Sequence, residues 1–208
     1  MARVSQEHLD ARRRQILDGA ARCFARNGFH ATSMQDVLQE VGLSAGAVYR
    51  YFRGKEQLIA AIADEVFVLV GSAFDDAARS VPPPTPDVLV GRVLRRVFDT
   101  NPAGDAQAFC RLVLQVWPET LRNEVLAATL QAGFDRLLGA WSTLVAAYQA
   151  GGQLDADIPA EHVARTCVAT VQGFLAQQAL FGDVDVRVLE DGVRGLMSLG
   201  RAVAPDPS

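Results

Sequence analysis

The stretch from Thr32 to Lys55 constrains the fold of this chain more than any other, because its apolar residues and turn signals follow a helix-turn-helix pattern. Gly42 interrupts a first apolar period, and Ser44 stands where it can cap a second short helix at about Ala45–Phe52. The apolar residues at helical spacing before the glycine are Met34, Val37, Leu38 and Val41. We therefore predict two short helices joined by a tight turn.

The second of these helices has one face that is suited to contact DNA. At about 100° per residue, Val48 and Phe52 fall on its inner side, whereas Gly46 and Arg50 lie nearly opposite. The small residues Gly46 and Ala47 allow a close approach to the major groove. Arg50 can then donate two hydrogen bonds to O6 and N7 of a guanine.

Several side chains around this helix can bind the phosphate backbone. Tyr49 and Tyr51 carry hydroxyl groups, and Lys55 lies in the first turn of the following helix. Thr32 and Ser33 are placed to cap the first helix of the motif, where a hydroxyl can also meet a phosphate at the positive helix end. The pattern taken alone is equally typical of a small amphipathic hairpin that exposes an arginine to water.

Charge is distributed unevenly along the chain, although its net charge is −4. Residues 1–55 contain nine Arg and Lys against five Asp and Glu, a net charge of +4, and the remainder carries −8. A basic N-terminal part on an acidic remainder concentrates the attraction for phosphates at one end. This distribution favours the DNA-binding interpretation over a purely structural hairpin.

Further residues at fixed spacing surround the motif. They are Ile16, Ala20 and Phe24, then Asn27-Gly28-Phe29, Ala31-Thr32-Ser33-Met34, Asp36-Val37, Gly42-Leu43-Ser44, Gly46, Val48-Tyr49, Tyr51-Phe52 and Lys55-Glu56-Gln57-Leu58. From about residue 16 to 63 the chain resembles the TetR family of bacterial transcriptional repressors. It departs from the family at Ala45, where a lysine is frequent, and this puts one phosphate contact in question. The predicted DNA-binding residues are Thr32, Ser33, Ser44, Ala45, Gly46, Ala47, Tyr49, Arg50, Tyr51 and Lys55.

The rest of the chain shows helical spacing without convincing strand alternation, so the predicted fold class is all-α with about nine helices. We predict a helix-turn-helix domain at 1–55, a linking helix at 57–79, and a ligand-binding and dimerisation domain within 56–208. Proline and glycine breaks separate the later helices. We place these helices at Val88–Thr100, Asp105–Trp117, Glu119–Ala150, Pro159–Phe181 and Val184–Val203.

For the second domain the resemblance implies a homodimer in which the last two helices pair with their copies. Those helices also hold more apolar residues than one buried face each can use, which indicates a partner. The predicted interface residues are Val171, Phe174, Leu175, Phe181, Val188, Leu189, Val193, Leu196 and Met197.

The resemblance further implies a ligand cavity among the fourth to eighth helices. The candidate wall residues are Phe67, Phe109, Gln115, Trp117, Phe134, Trp141, Phe174 and Gln178. A mostly apolar wall favours an apolar or aromatic effector. Aromatic residues at helical spacing are more often part of an ordinary core.

The remaining sequence argues against other classes of protein. The three histidines are scattered, and no phosphate loop, Cys-x-x-Cys or paired Ser/His/Asp pattern is present, so we predict no catalysis, no metal and no cofactor. Three separated cysteines in apolar contexts, a start without the apolar centre of a secretory signal, and the lack of a long uncharged apolar run indicate a cytoplasmic protein without a membrane span. The expected function is a dimeric repressor that binds an inverted-repeat DNA operator and is released by a small effector. The alternative is a helical interaction protein whose helix-turn-helix does not read DNA.

Overall fold

The structure is a computed structural model that describes residues 6–182 and 184–198. Within those residues the chain forms nine α-helices and one 3-10 turn, and no strand, which confirms the predicted all-α class. The predicted end of the last helix at Val203 lies outside the described residues. The elements are α1 (Gln6–Asn27), α2 (Met34–Val41), α3 (Ala45–Tyr49), α4 (Lys55–Arg79), α5 (Pro86–Thr100), α6 (Ala106–Val116), the 3-10 turn (Trp117–Leu121), α7 (Glu124–Ala150), α8 (Ala160–Phe181) and α9 (Val186–Ser198).

Helices α1, α2 and α3 form a three-helix unit, here called the head, around one apolar core. Ile16 and Phe24 of α1 meet Val37 of α2 and Val48 of α3 in this core, and all four side chains are fully buried. Their burial follows the helical spacing of the sequence. The apolar side of each helix is therefore used inside the head.

Local signals set the length and packing of α2. The Ser33 side chain caps its start, and Gly42 ends it in the left-handed region at φ 65°, where a residue without Cβ is favoured. Gly19 allows α1 to approach α2, because a Cβ there would lie 2.3 Å from Cγ1 of Val41. The cap at Ser33, the end of the helix at Gly42 and the close contact with α1 thus fix the position of α2 and of the turn that follows it.

Helix α4 joins the head to α5–α9, here called the body. It begins at Lys55, earlier than the predicted start at residue 57, and packs against α1 and α7. By length and composition it is the one described helix that could cross a membrane, with a mean hydropathy of 1.7 over its most apolar window. Its apolar residues have other partners here, because Phe74 and Ala77 enter the body core and several others line the cavity described below.

In the body, α7 packs between α4 and α8, and α5 packs against α9. Two ion pairs join α5 to α9: Asp87 Oδ2 lies 2.8 Å from Nε of Arg194, and Arg95 lies 2.5 Å from Glu190. The Glu190 carboxylate lies over Gly91, where an added Cβ would come within 1.7 Å of it. The orientation of α9 is therefore fixed by charge pairing and by a close helix approach.

One predicted boundary in the body is wrong. Helix α6 ends at Val116, and a 3-10 turn that begins at Trp117 follows instead of the next α-helix, since Pro118 cannot donate a backbone hydrogen bond. Helix α7 begins at Glu124 rather than Glu119, and the Asn123 side chain caps it by accepting a backbone bond of 2.9 Å. A rigid turn therefore separates α6 from α7.

Candidate DNA-binding surface and effector cavity

Helix α3 is short and is fixed at its start by Ser44. The Ser44 hydroxyl accepts a hydrogen bond of 3.3 Å from the Ala47 amide. A bond of 3.0 Å from the Phe52 amide to the Val48 carbonyl extends the turn past the last residue of the helix. Val48 and Phe52 are both buried, so the opposite side of α3 faces solvent.

That solvent-facing side carries Gly46 and Arg50, as the spacing predicts. Both residues are exposed, and Tyr49 beside them is 46% exposed. A Cβ built on Gly46 has no neighbouring atom within 4 Å. The outer surface of α3 is therefore open to a large partner, and at Gly46 no side chain projects from it.

Four further predicted contact residues flank this side. Ser44 and Ala45 are exposed at the first turn of α3, whereas Ala47 and Tyr51 are half-buried. Since Ala45 has no polar side-chain group, a phosphate at this edge would depend on the Ser44 hydroxyl and on backbone N–H groups at the helix start.

Arginines of the head differ in whether a carboxylate neutralises them. Glu40 accepts bonds from Arg22 at 2.8 Å and from Arg26 at 3.1 Å, and these bonds lower the pKa of Glu40. In the part of the chain that the structure describes, Arg50 and Arg53 have no carboxylate within ion-pair distance. Unpaired positive charge therefore lies at α3 and just after it, where it is suited to attract phosphates.

Lys55 is directed into the protein rather than toward solvent. Its Nζ donates to the carbonyls of Phe29 at 3.0 Å, His30 at 3.1 Å and Thr32 at 3.3 Å, and it lies 4.8 Å from the centroid of the Phe29 ring. An ammonium group has three donors, so none is left for the predicted phosphate contact. Lys55 instead fastens the loop between α1 and α2 to the start of α4.

The two predicted capping residues before α2 have different roles. Thr32 is 1% exposed, and its hydroxyl donates to the Gly28 carbonyl at 2.7 Å. The prediction that Thr32 contacts DNA is therefore corrected, because its hydroxyl is enclosed in the loop. Ser33 alone caps α2. The hydrogen bond from its hydroxyl, and to a smaller extent the one from its backbone amide, lower the pKa of the Asp36 carboxyl group. Ser33 is exposed and stays a predicted phosphate contact.

An apolar cavity of about 190 Å³ lies between α4, α5, α6, α7 and α8. Along α4 its wall runs from Ile59 near the head to Phe74 in the body. Five of the eight predicted wall residues line it, namely Phe67, Phe109, Trp117, Phe134 and Trp141.

Hydrocarbon forms nearly all of this wall. The polar groups among the lining residues are Gln172 and the indole N–H groups of Trp117 and Trp141, and no lining residue that the structure describes is ionisable. An apolar cavity of about 150 Å³ in another protein stays dry and binds benzene. The cavity is therefore suited to a small, uncharged and mainly apolar ligand.

Three predicted wall residues are turned away from the cavity and are corrected here. Gln115 accepts a hydrogen bond from the Phe29 amide at 2.8 Å, so it faces the head. Gln178 accepts one from the Val184 amide at 2.8 Å and holds the connection between α8 and α9. Phe174 is 5% exposed and packs in the body core.

Among the wall residues that the sequence prediction missed, Gln172 is the one with a polar side chain. It lies four residues after Val168 and three before Leu175, and both of these line the cavity. Helical spacing alone would have placed Gln172 on the same face. It is the one side-chain amide in a hydrocarbon wall, so it is placed to orient a ligand that carries a polar group.

Helices α8 and α9 leave an apolar strip on the protein surface. A Cβ added at Gly173, Gly192 or Gly195 would meet no atom within 4 Å, so space around these helices is open. The strip comprises Leu180 (65% exposed), Phe181 (78%), Val188 (62%), Leu196 (69%) and Met197 (37%), of which Leu180 was not predicted.

The other predicted interface residues do not belong to this strip. Phe174 and Leu189 are buried within the single chain, and Val193 is half-buried against the body core. Val171 and Leu175 line the cavity. The helical spacing identified the apolar residues correctly, but each helix divides them between its own core and its outer surface.

Head and cavity together define the class of protein. An exposed helix-turn-helix is joined by one helix, α4, to an all-helical body whose apolar cavity has the size of a small ligand. Helix α4 contributes to both the head core and the cavity wall. This is the architecture of a helix-turn-helix transcriptional regulator.

Comparison with known families places the chain within this class. Residues 16–62 match the model of the bacterial regulatory proteins of the tetR family, and residues 90–196 match the C-terminal part of BetI-type transcriptional repressors. The chain belongs to the TetR family of transcriptional regulators, which confirms the resemblance found in the sequence.

Individual relatives support the same assignment. The HTH-type transcriptional repressor Rv1474c of Mycobacterium tuberculosis is 49% identical over 65 residues, which are 31% of this chain and 35% of that protein. AcnR of Corynebacterium diphtheriae is 42% identical over 62 residues, 30% of this chain and 33% of that protein. The matched part thus spans about a third of the length of these relatives.

Solved structures extend the likeness to the whole fold. Salmonella enterica GusR has a TM-score of 0.72 and 27% identity, and the match covers 95% of this chain and all of that one. FadR from Bacillus subtilis, in complex with stearoyl-CoA, has a TM-score of 0.73 with 18% identity over 90% of this chain and 98% of that one. The second likeness shows the fold alone.

Proposed function

We propose that this protein is a homodimeric repressor that binds an inverted-repeat operator through α3 and releases it when a small apolar effector occupies the body cavity. The observation that carries the DNA-binding part is the exposed, unpaired Arg50 beside Gly46 on the outer side of α3. Its inner side is fixed in the head core by Val48 and Phe52. A helix that is fixed in the head core and carries Gly46 beside an unpaired guanidinium is suited to bind in the major groove.

The apolar strip on α8 and α9 supports the dimer. Four of its side chains are more than half exposed, and hydrocarbon of this kind gains most when a partner covers it. A dimer formed through the strip would carry two heads, one for each half-site of an inverted repeat. Half-sites about 34–36 Å apart, or a multiple of that, are then expected in the operator.

The composition of the cavity supports the effector class. Without an ionisable lining group, the wall offers no partner for a ligand charge, and burying an unpaired charge is costly. An uncharged hydrocarbon or aromatic compound with one hydrogen-bonding group for Gln172 fits the wall best. That FadR was solved with stearoyl-CoA supports a ligand-binding role for a body of this fold.

Release requires that the effector favours one of two arrangements of the heads. A ligand shifts such an equilibrium only through its different affinity for the two states. Coupling of about 1–3 kcal/mol changes operator affinity by about 5- to 150-fold, which is enough to free a promoter. Helix α4 joins the two sites and is one element that can move between two positions.

The experiment that tests this proposal is selection of bound fragments from random DNA, followed by binding measurements on the selected operator. Arg50→Ala should weaken binding by about 1–3 kcal/mol and relax the preference at one base of each half-site. Arg92→Ala removes the same charge from the exposed side of α5 and is the matched control. Equal effects of the two changes, or no selected sequence at all, would contradict the assignment of α3.

A helical interaction protein with a head that does not read DNA is the alternative outcome of the same selection. We also propose a binding protein rather than an enzyme, because the lining side chains offer no nucleophile and no general acid or base. A repressor acts where the chromosome is, so we propose that the protein works in the cytoplasm. The names of its curated relatives favour repression over activation.

A further inference from the structure

Helix α6 lies between the cavity and the head. Leu112 and Val116 line the cavity and also belong to the head core, where α6 packs against α1. Gln115 lies between them in sequence, and its side chain reaches the loop that leads into α2. A single turn of α6 therefore contacts both sites.

The contact of Gln115 with the head is specific. Its Oε1 accepts a hydrogen bond of 2.8 Å from the amide of Phe29, a residue that is 3% exposed. A Cβ at the preceding Gly28 would lie 3.2 Å from the same oxygen, and Gly28 also has a φ of 86°. The loop is thus shaped so that the glutamine can reach the peptide group between these two residues.

This peptide group belongs to the segment that sets the position of α2. The Phe29 carbonyl accepts a hydrogen bond from Lys55 Nζ, and the other two hydrogen bonds of this ammonium group go to the carbonyls of His30 and Thr32. Thr32 lies immediately before Ser33, the residue that caps α2. A displacement at Phe29 therefore reaches the helix-turn-helix through a short chain of hydrogen bonds.

A second contact lies between the same loop and the body. His30 Nε2 lies 3.0 Å from Glu119, which belongs to the 3-10 turn that begins at the cavity residue Trp117. Both body partners of the loop are thus within a few residues of the cavity wall. Besides α4 and the packing of α6 on α1, the loop at 28–31 is a further place where the body contacts the head.

We propose that Gln115 is a positioning residue that transmits the state of the cavity to the head through its bond to the Phe29 amide. A ligand that displaces Leu112 or Val116 moves α6, and the bond carries this movement to the loop. The inference rests on the proposed function and adds a route through α6 to the movement of α4. It assigns to Gln115 a role in coupling and none in contact with ligand or DNA.

The test is a double-mutant cycle on the selected operator. Val93 on α5 lines the cavity beside residues of α4 and α6, so Val93→Phe fills part of it while the sequences of α4, α6 and the loop at 28–31 stay unchanged. We expect Val93→Phe to weaken operator binding about fivefold or more in the native background. In Gln115→Leu the same change should weaken binding by less than about twofold, because the two positions are then uncoupled.

Two further variants separate coupling from folding. Gln115→Glu keeps the accepting oxygen and should restore the full effect of Val93→Phe, whereas Gln115→Asn is one methylene shorter and should behave like Gln115→Leu. Hydrogen exchange at the Phe29 amide should be slow in the native protein and in Gln115→Glu, and faster in Gln115→Asn. These variants keep a polar side chain at the position, so they serve even if Gln115→Leu does not fold.

An equal effect of Val93→Phe in all four backgrounds would overturn the role of Gln115. The absence of any effect of Val93→Phe on operator affinity in the native background would also overturn it, because a change in the cavity would then not alter the head. Failure of the proposed function is distinguishable, since the native protein would then select no operator. If it selects one and the cycle is additive, the proposal for Gln115 alone is wrong.

Discussion

Gly46 provides a test in which protein stability and DNA affinity should change in opposite directions. It lies in the first turn of α3 and is exposed, and a Cβ at this position would meet no protein atom within 4 Å. In the free protein, Gly46→Ala therefore acts through helix propensity, which favours alanine by up to about 1 kcal/mol. For a chain of this size the melting temperature should rise by up to about 2–4 °C.

In the complex the same methyl group would meet the floor or wall of the groove. Forcing one extra methyl group into a close-packed contact costs about 1–3 kcal/mol. Since about 1.4 kcal/mol corresponds to a tenfold change, each head should lose about 5- to 150-fold in affinity. A dimer carries two such methyl groups on one operator, so the total loss should be larger.

The assay pairs thermal unfolding with fluorescence anisotropy on the selected operator. Gly139→Ala on α7 is the matched control, because Gly139 is also exposed and a Cβ there also has no neighbour within 4 Å. The control should gain stability and bind DNA normally. If Gly46→Ala gained the same stability and kept native operator affinity, α3 would not enter the groove by this face, and the assigned orientation would be wrong.

Three further changes test the dimer, the acid stability and the loop between α1 and α2. Leu196→Glu should convert the dimer to the 22.4 kDa monomer in light scattering, whereas Val68→Glu at a similarly exposed position of α4 should not. Burial opposes ionisation of Asp87, but hydrogen bonds from Thr85 and Arg194 prevail and lower its pKa. The stabilisation by Asp87 is therefore complete above the ordinary Asp pKa of about 3.9 and is lost as pH falls through the lowered value, so Asp87→Asn should flatten the acid side of the stability curve. Lys55→Met keeps the apolar stem but leaves three carbonyls without their donor, so it should lower the unfolding free energy by about 1.5–3 kcal/mol. Unchanged stability together with a weaker salt dependence of DNA binding would instead support a phosphate contact of Lys55.

Predictions within the head succeeded where the signal is local. Ser33, Gly42 and Ser44 act through backbone groups a few residues away, so the sequence shows both the residue and its target. The spacing of Val48 and Phe52 also identified the buried side of α3, and hence its exposed side. These features need no knowledge of the body.

Predictions failed where the partner is brought in by tertiary packing. The three carbonyls around the Lys55 ammonium come from a loop more than 20 residues earlier in the chain. Their convergence follows from the way α4 starts against α1, and no spacing in the sequence reports it. The same holds for Gln115, whose partner Phe29 is 86 residues away.

Within the body the sequence identified apolar residues but not the rotation of each helix. Phe174 and Gln178 are four residues apart and share a face of α8, but that face packs in the core and against the α8–α9 connection. Val171 and Leu175 face the cavity instead. A helix that is apolar on more than one side leaves its rotation undetermined until its neighbours are known.

The position of the cavity supports the proposal that a ligand bound there affects DNA binding. Ile59 of α4, Leu112 and Val116 of α6, and Leu130 of α7 belong both to its wall and to the core that supports α1. A ligand that enters must contact side chains on which the head rests, and closely packed interiors transmit small displacements instead of absorbing them. Cavity and head therefore share side chains of α4, α6 and α7. Under the proposed function, a ligand that favours one arrangement of these side chains favours one position of α3.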